Sequence, residues 1–341
     1  MNSHHETRKD GIAAAIRMRP TLKSIAEITG LGITTVSRAL KDAPDIGADT
    51  KARVRDVARE LGYQPDRAGL RLRTGKTYVI SLIMSLEEEV MGVTSPVVMG
   101  ISEVLAGTPY QLLVLPYKKT DDPLAPVRYV LETGAADGII LSRTQPGDAR
   151  VRLLLEHGLP FATHGRTTLD SVHPFHDFDN EAFAFEAVRR LAERGRRRIA
   201  LVPPPPDLTY HAHLRSGFEA GLLAFGLKEC SLGALTSDDC LLTIRDACQT
   251  LFARADAPDG IVSSASSSTT ALVAGLDLAG RRLGADVDIV TKTPNDVLLW
   301  LRPELITIRE DFRLAGRELA RAVLARIDGE SPETLTSLSS F

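Results

Sequence analysis

Cysteine is scarce in this chain, with Cys230, Cys240 and Cys248 the three among 341 residues. An odd number without CxxC spacing argues against a disulfide framework and against the common zinc patterns. Long apolar runs are missing as well. No stretch approaches the roughly 18 to 20 uninterrupted apolar residues that cross a bilayer. Residues 1–19 hold a short apolar patch, Ile12 to Ile16, flanked by Asp10, Arg17 and Arg19, without the h-region and cleavage site of a secretory signal. A cytoplasmic protein with no membrane attachment is therefore expected. Signatures of catalysis are lacking too: there is no P-loop, no GxSxG and no carboxylate cluster at metal-ligand spacing. His173 and His176, near Asp177 and Asp179, come closest to a metal cluster, but they lie in a loop without helical ligand geometry. Neither a metal nor a cofactor is expected.

What the chain has is ordinary globular composition, 43% hydrophobic and 25% charged, over a length that suggests about two domains. The charge is unevenly divided. Residues 1–73 carry 14 Lys and Arg against 9 Asp and Glu, a net +5, while the rest carries 27 against 35, a net −8. A small basic head on a large acidic body suits a head that meets a polyanion, although a solvated helical surface has the same composition.

The first folded stretch reads as three helices. Thr21 is placed to cap a helix carrying Leu22, Ile25, Ala26 and Ile28, and Gly30 stops it. After the short turn Leu31-Gly32, a second helix is predicted from about Ile33 to Lys41. A third, from about Thr50 to Leu61, has the stripe Val54, Val57, Ala58 and Leu61. From Tyr78 the texture changes. Strand-like runs occur at Val79 to Met84, Gln111 to Pro116, Gly138 to Leu141, Pro160 to Thr163, Ile199 to Val202, Gly260 to Val262 and Val287 to Val290. Helical patterns separate them, including Glu181 to Arg194, His213 to Phe225, Ile244 to Arg254 and Thr269 to Leu283. Alternating strands and helices imply parallel sheets, and this length suits two subdomains with a ligand cleft between them. Pro203 to Pro206 reads as a stiff loop after a strand.

The spacing of the first two helices is that of a helix-turn-helix. Thr21-Leu22-Lys23-Ser24-Ile25-Ala26-Glu27, then Gly30-Leu31, then Thr34-Thr35-Val36-Ser37-Arg38-Ala39-Leu40, resembles the head of the lactose-repressor (LacI/GalR) family. Glu60-Leu61-Gly62-Tyr63-Gln64-Pro65-Asp66 continues the likeness. So do Asp179-Asn180, the run Leu191 to Ala200, and Ile306-Thr307-Ile308 followed by Gly316 and Ala320. The resemblance covers Thr21 to about Gly329. It implies a small all-α helix-turn-helix head plus an α/β two-lobed body resembling periplasmic sugar-binding proteins. The expected divisions are an extension at 1–19, the DNA-binding domain at 20–65, a hinge at 66–76, the effector-binding and dimerisation body at 77–330, and a polar tail at 331–341.

Function follows from the resemblance: a sequence-specific regulator, a repressor of a catabolic or transport operon, binding a double-stranded, roughly palindromic operator as a homodimer. The tail lacks apolar heptads, so no coiled-coil tetramer is expected. Ile33, Thr34 and Arg38 fall where the family reads base edges, and the Arg38 fork can bond guanine O6 and N7; a phosphate contact is its other reading. Thr21, Thr35, Ser37, Thr50 and Tyr63 fall where the family meets the phosphate backbone, although caps and core edges use the same residues. In the hinge, Leu72 takes the position of the family's minor-groove wedge, and Gly69 stands where Ala is usual, at a helix cost of about 1 kcal/mol.

Effector positions carried over from the family are Ser85, His164, Arg166, Tyr210, Ser267 and Lys292, with Thr293 beside it. Leu214 replaces the common Arg of Arg-x-x-Gly-Phe, and Thr291-Lys292-Thr293-Pro294 replaces Gly-Phe-Asp-Asp, removing the usual hydroxyl-binding Asp. With His164, Arg166 and Lys292 turned toward a cleft, an anionic effector, a sugar acid or sugar phosphate, is the first expectation and a neutral sugar or polyol the second. A glutamate of Glu87 to Glu89 is the protein's own candidate partner for Lys292. A receptor or enzyme built on the same body, without a DNA role, is the alternative.

Overall fold

The computed structural model describes residues 20–63, 71–72, 74–85 and 92–341. They fall into two units that divide after Thr77. The first unit is three helices: α1 (Leu22–Thr29), α2 (Ile33–Leu40) and α3 (Ala48–Glu60). Gly30 ends α1 at φ +67°, a left-handed conformation that turns the chain at once into α2. Ile25, Val36 and Val54, one from each helix, meet in a fully buried core. That core fixes the face α2 shows to solvent.

The second unit has two parallel sheets. The first lobe contains β1 (Val79–Ser85), α4 (Thr94–Leu105), β2 (Gln111–Tyr117), α5 (Ala125–Thr133), β3 (Gly138–Leu141), α6 (Ala149–His157), β4 (Phe161–His164) and β5 (Phe175–Phe178). The second contains α7 (Asn180–Glu193), β6 (Arg198–Val202), α8 (Thr209–Phe225), β7 (Lys228–Glu229), α9 (Leu241–Phe252), β8 (Gly260–Ser263), α10 (Ser266–Leu278), β9 (Asp288–Thr293), α11 (Val297–Leu301) and β10 (Ile306–Arg309). The chain then returns to the first lobe with α12 (Phe312–Ile327) and β11 (Thr336–Ser339). Strand order is β11-β5-β4-β3-β1-β2 in one sheet and β10-β9-β8-β6-β7 in the other, every neighbour parallel. Helices on both faces bury the central strands, which is why Gly138–Leu141 reads as an unbroken apolar run.

Helix α12 belongs to the first lobe because Phe312, Leu319 and Val323 pack with Ile80, Leu82 and Ile140. Gly100 of α4 and Gly316 of α12 let the two helices touch backbone to backbone. A Cβ at Gly100 would lie 2.1 Å from the Arg313 carbonyl oxygen, and one at Gly316 would lie 2.3 Å from that of Val97.

Two expectations change. Residues 331–341, read as a polar tail, supply the edge strand β11 beside β5, with Asp179 N–H donating to the Ser339 carbonyl at 2.8 Å. Its run Thr336-Ser337-Leu338-Ser339 holds a single apolar residue, itself half exposed, which suits a sheet edge and gives little apolar signal. Strand β5 escaped notice for a related reason: His176 and Asp177 interrupt its apolar run, yet both are buried. The helix expected to reach Leu283 stops at Leu278, where Gly280 at φ +68° turns the chain.

Candidate DNA-reading face and effector cleft

On α2, Val36 and Ala39 are buried, while Ile33, Thr34 and Arg38 are exposed together. The helix thus presents the three residues expected to read bases. Arg38 is not idle, since its guanidinium donates to Asp45 Oδ1 at 2.5 Å and holds that carboxyl below the usual range. Thr21 serves α1 directly. Its hydroxyl accepts from Ser24 N–H, its own N–H is bonded by the Ser24 hydroxyl, both at 3.2 Å, and together they form a capping box. Thr35, Ser37, Thr50 and Tyr63 are half-buried, and Tyr63 packs at the edge of the three-helix core. In the hinge, Leu72 is 89% exposed in a helical turn closed by Gly75 N–H on the Arg71 carbonyl. Gly69 and Gln64-Pro65-Asp66 lie outside the described residues, as do residues 1–19.

Between the lobes lies a cavity of about 70 Å³, at the C-terminal ends of the strands, where parallel sheets place ligands. His164, Tyr210 and Lys292 line it as expected. Lys292 is buried: its ammonium sits 2.6 Å from Glu310, donates to Asn180 Oδ1 at 2.9 Å, and lies 5.1 and 5.4 Å from the ring centres of Phe178 and Tyr210. Glu310 is equally buried, with His164 Nε2 3.6 Å from its other oxygen. Burial would raise its carboxyl, but Lys292 and His164 more than offset this and hold it at about 2. Behind His164 stacks His176, whose Nδ1 shares a hydrogen bond with Ser337 of β11 at 2.8 Å. Burial, with His164 beside it, pushes His176 down to about 4.

Three expected positions lie off the described lining. Ser85 is buried at the end of β1. Arg166 is engaged by Asp177 at 2.7 Å and approaches His213 at 3.3 Å. Ser267 is inside the first turn of α10, and Ser264, immediately after β8, lines the cavity instead. Leu214, at the family's Arg position, is fully buried in the second lobe's core. Sequence reading missed Glu310, Asn180 and Arg143 as lining groups. A usable signal existed, because Arg143, Ser264 and Glu310 each follow a strand end by one or two residues. Of the two sources of negative charge open to these cations, ligand or protein, the protein supplies one to each of Lys292 and Arg166. Lys292 has Glu310, a partner not foreseen in the sequence; Glu87 to Glu89 lie outside the described residues.

A helix-turn-helix unit joined to a two-lobed body with a cleft defines a ligand-responsive DNA-binding protein. Residues 21–66 match the model for bacterial regulatory proteins of the lacI family, and residues 188–339 match the periplasmic binding protein-like domain. The chain is 32% identical over 334 residues to the HTH-type transcriptional regulator AglR of Rhizobium meliloti (strain 1021), covering 93% of this chain and 91% of that one. To RafR of Escherichia coli it is 32% identical over 323 residues, 92% and 94% of the two chains. Among solved structures it resembles a CelR–cellobiose complex (TM-score 0.70, 25% identity, 94% and 97% of the chains). It shares the fold of the lac repressor dimer bound to operator and an anti-inducer (TM-score 0.79, 19% identity, 94% and 96%). The chain belongs to the LacI family of DNA-binding transcriptional regulators and is not an enzyme. Among the described residues no helix is long and apolar enough to cross a membrane.

Proposed function

We propose that this chain is a homodimeric repressor of a catabolic or transport operon, acting on a roughly palindromic operator and controlled by a neutral sugar. The observation that carries the effector class is the Lys292–Glu310 pair. An anion needs a cation with charge to spare, and the Lys292 ammonium already has a carboxylate at 2.6 Å. A neutral polyol needs fixed donors and acceptors instead, with flat apolar surface for its C–H faces. Lys292, Glu310 and Asn180 offer the first, and Tyr210 and Phe312 the second. The likeness to a protein solved with cellobiose supports the same reading. A cavity this small implies that the lobes part to admit a sugar. Calorimetry of the full chain against cellobiose and maltose, beside the corresponding aldonic acids, tests it. A neutral disaccharide is expected to bind and its acid not to. Tighter binding of the acid would overturn the effector class.

Pairing of two heads on a two-fold axis requires inverted half-sites. For the dimer contact, Val297, Trp300 and Leu301 expose an apolar face on α11, which an Arg302–Asp277 ion pair fastens to the end of α10. The fold shared with a solved repressor dimer supports a second copy as what covers it. Trp300→Glu is expected to yield monomers by light scattering; an unchanged dimer places the contact elsewhere.

A further inference from the structure

Three consecutive residues after β3 each bind the opposite lobe. The Arg143 guanidinium and the Lys119 ammonium both reach Asp238, which lies between β7 and α9 in the second lobe. The Thr144 carbonyl accepts from Thr209 N–H at 2.9 Å and from its hydroxyl at 3.1 Å. Gln145 Nε2 donates to Asp207 at 2.8 Å. These contacts are separate from the covalent crossovers at Asp179 and Glu310–Asp311.

Both sides are built to hold them. In the first lobe a buried ion pair, Arg150–Asp148, pins the tripeptide: Arg150 donates to the Ser142 and Arg143 carbonyls at 3.1 and 2.9 Å, and Asp148 accepts from Gln145 N–H at 3.1 Å. Arg143 is thereby kept at φ +55°, a left-handed conformation a side-chain-bearing residue rarely adopts and keeps only when its surroundings impose it. In the second lobe the run Pro203 to Pro206 is the scaffold. Ser237 N–H donates to the Pro203 carbonyl at 2.7 Å, His211 bonds that of Pro204 at 2.7 Å, and Leu208 N–H donates to that of Pro205. The stiff loop thus positions Asp207, Thr209 and Asp238 together. Asp238 is almost fully buried; burial would raise its carboxyl, but Arg143 and Lys119 hold it below the usual range.

We infer that Arg143, Thr144 and Gln145 form a clasp between the lobes, with Asp238 as its ionic catch, and that entry to the effector cleft requires this clasp to open. Arg143 also lines the cavity, so the residue that shuts the lobes is the one a ligand meets. The inference does not depend on which ligand the cleft takes.

Thr209 provides the readout. It is the first residue of α8, so its N–H has no partner within the helix, and Leu208 before it offers no capping oxygen. Its partner is the other lobe, and opening exposes it to water. Hydrogen exchange of the full chain, resolved by electron-transfer fragmentation, is compared at Thr209 and at Leu227, whose N–H donates to Leu222 inside the second lobe. Asp238→Asn is expected to speed exchange at Thr209 at least tenfold and leave Leu227 unchanged. Ser237 reports whether the 230–240 segment keeps its shape. Should Ser237 also exchange faster, Arg143→Gln, which leaves that segment unaltered, decides by the same measure. Unchanged protection of Thr209 in Arg143→Gln, with or without a change in Asp238→Asn, overturns the clasp.

Discussion

The head and the cleft use cations in opposite ways. On the head most stay in water, Lys51 with its Asp42 partner being the exception: the side chains of Lys23 and Arg59 are 75% and 79% exposed, and Arg38 is about half exposed beside Asp45. In the cleft, Lys292 is buried and Arg143 largely so, and both are held by carboxylates. A phosphate backbone is met by exposed charges that shed counterions, whereas a closing cleft cannot bury an unneutralised charge cheaply. Charge counting along the chain points to the first kind of site and is silent on how the cations of the second are partnered. The same residue types that suggested an anion in the cleft are there as halves of ion pairs.

The strongest way to break this comparison is to unpair the cleft. Glu310→Gln leaves the Lys292 ammonium buried opposite a neutral amide, an arrangement expected to cost about 3–5 kcal/mol. Urea denaturation of the full chain is expected to show that loss in the transition of the body, and Lys292→Met added to Glu310→Gln should recover much of it. A cost below about 1 kcal/mol for Glu310→Gln alone would mean that water reaches the pair, and that the cleft resembles the head after all.

A milder test uses His176. Its folded value, pushed down to about 4, lies below the ordinary 6.5, so between these pH values the unfolded chain binds the proton and the folded chain does not. Stability is therefore full above pH 6.5 and falls as the pH drops toward 4, by up to about 3 kcal/mol from this residue. Melting curves from pH 7 to 4.5 are expected to slope less in His176→Asn than in the native chain. Equal slopes would show that His176 takes up its proton without penalty, as an exposed histidine does.

How far the sequence carried depended on how local each signal was. Helices α1 to α3 announce themselves through a cap, a left-handed glycine and apolar spacing; on α2 the apolar Val36 and Leu40 mark the inward side, and the structure buries Ala39 with Val36 while Leu40 packs at the core's edge. His164 and Lys292 were within reach because the family resemblance marks both positions; His164 ends β4, and Lys292 is the last residue but one of β9. Glu310 was not: it meets Lys292 only because β9 and β10 pair in register, with Ile308 beside Lys292 and Glu310 just beyond. Strand β11 escaped because an edge needs no apolar alternation, and the clasp because its partners are 62 to 95 residues apart in sequence.

The smallest effect concerns Arg38, where the head is the side to sharpen. Its ion pair with Asp45 is half exposed, and such pairs contribute at most about 1 kcal/mol, so DNA can displace Asp45 at little cost. If Arg38 then forks onto a guanine, Arg38→Ala is expected to weaken operator binding by about 1–3 kcal/mol and to flatten the preference at one base pair in each half-site. The salt dependence of the remaining affinity should change little, because no phosphate contact is lost. The competing role predicts the reverse pattern, with every sequence weakened alike and the slope of log affinity against log salt reduced by about 1 per head. Fluorescence anisotropy on the selected operator and on single-base variants, at several salt concentrations, separates the two. Asp45→Asn adds a control of opposite sign: removing the intramolecular competitor, and an anion from the DNA-facing side, is expected to tighten binding slightly in either case.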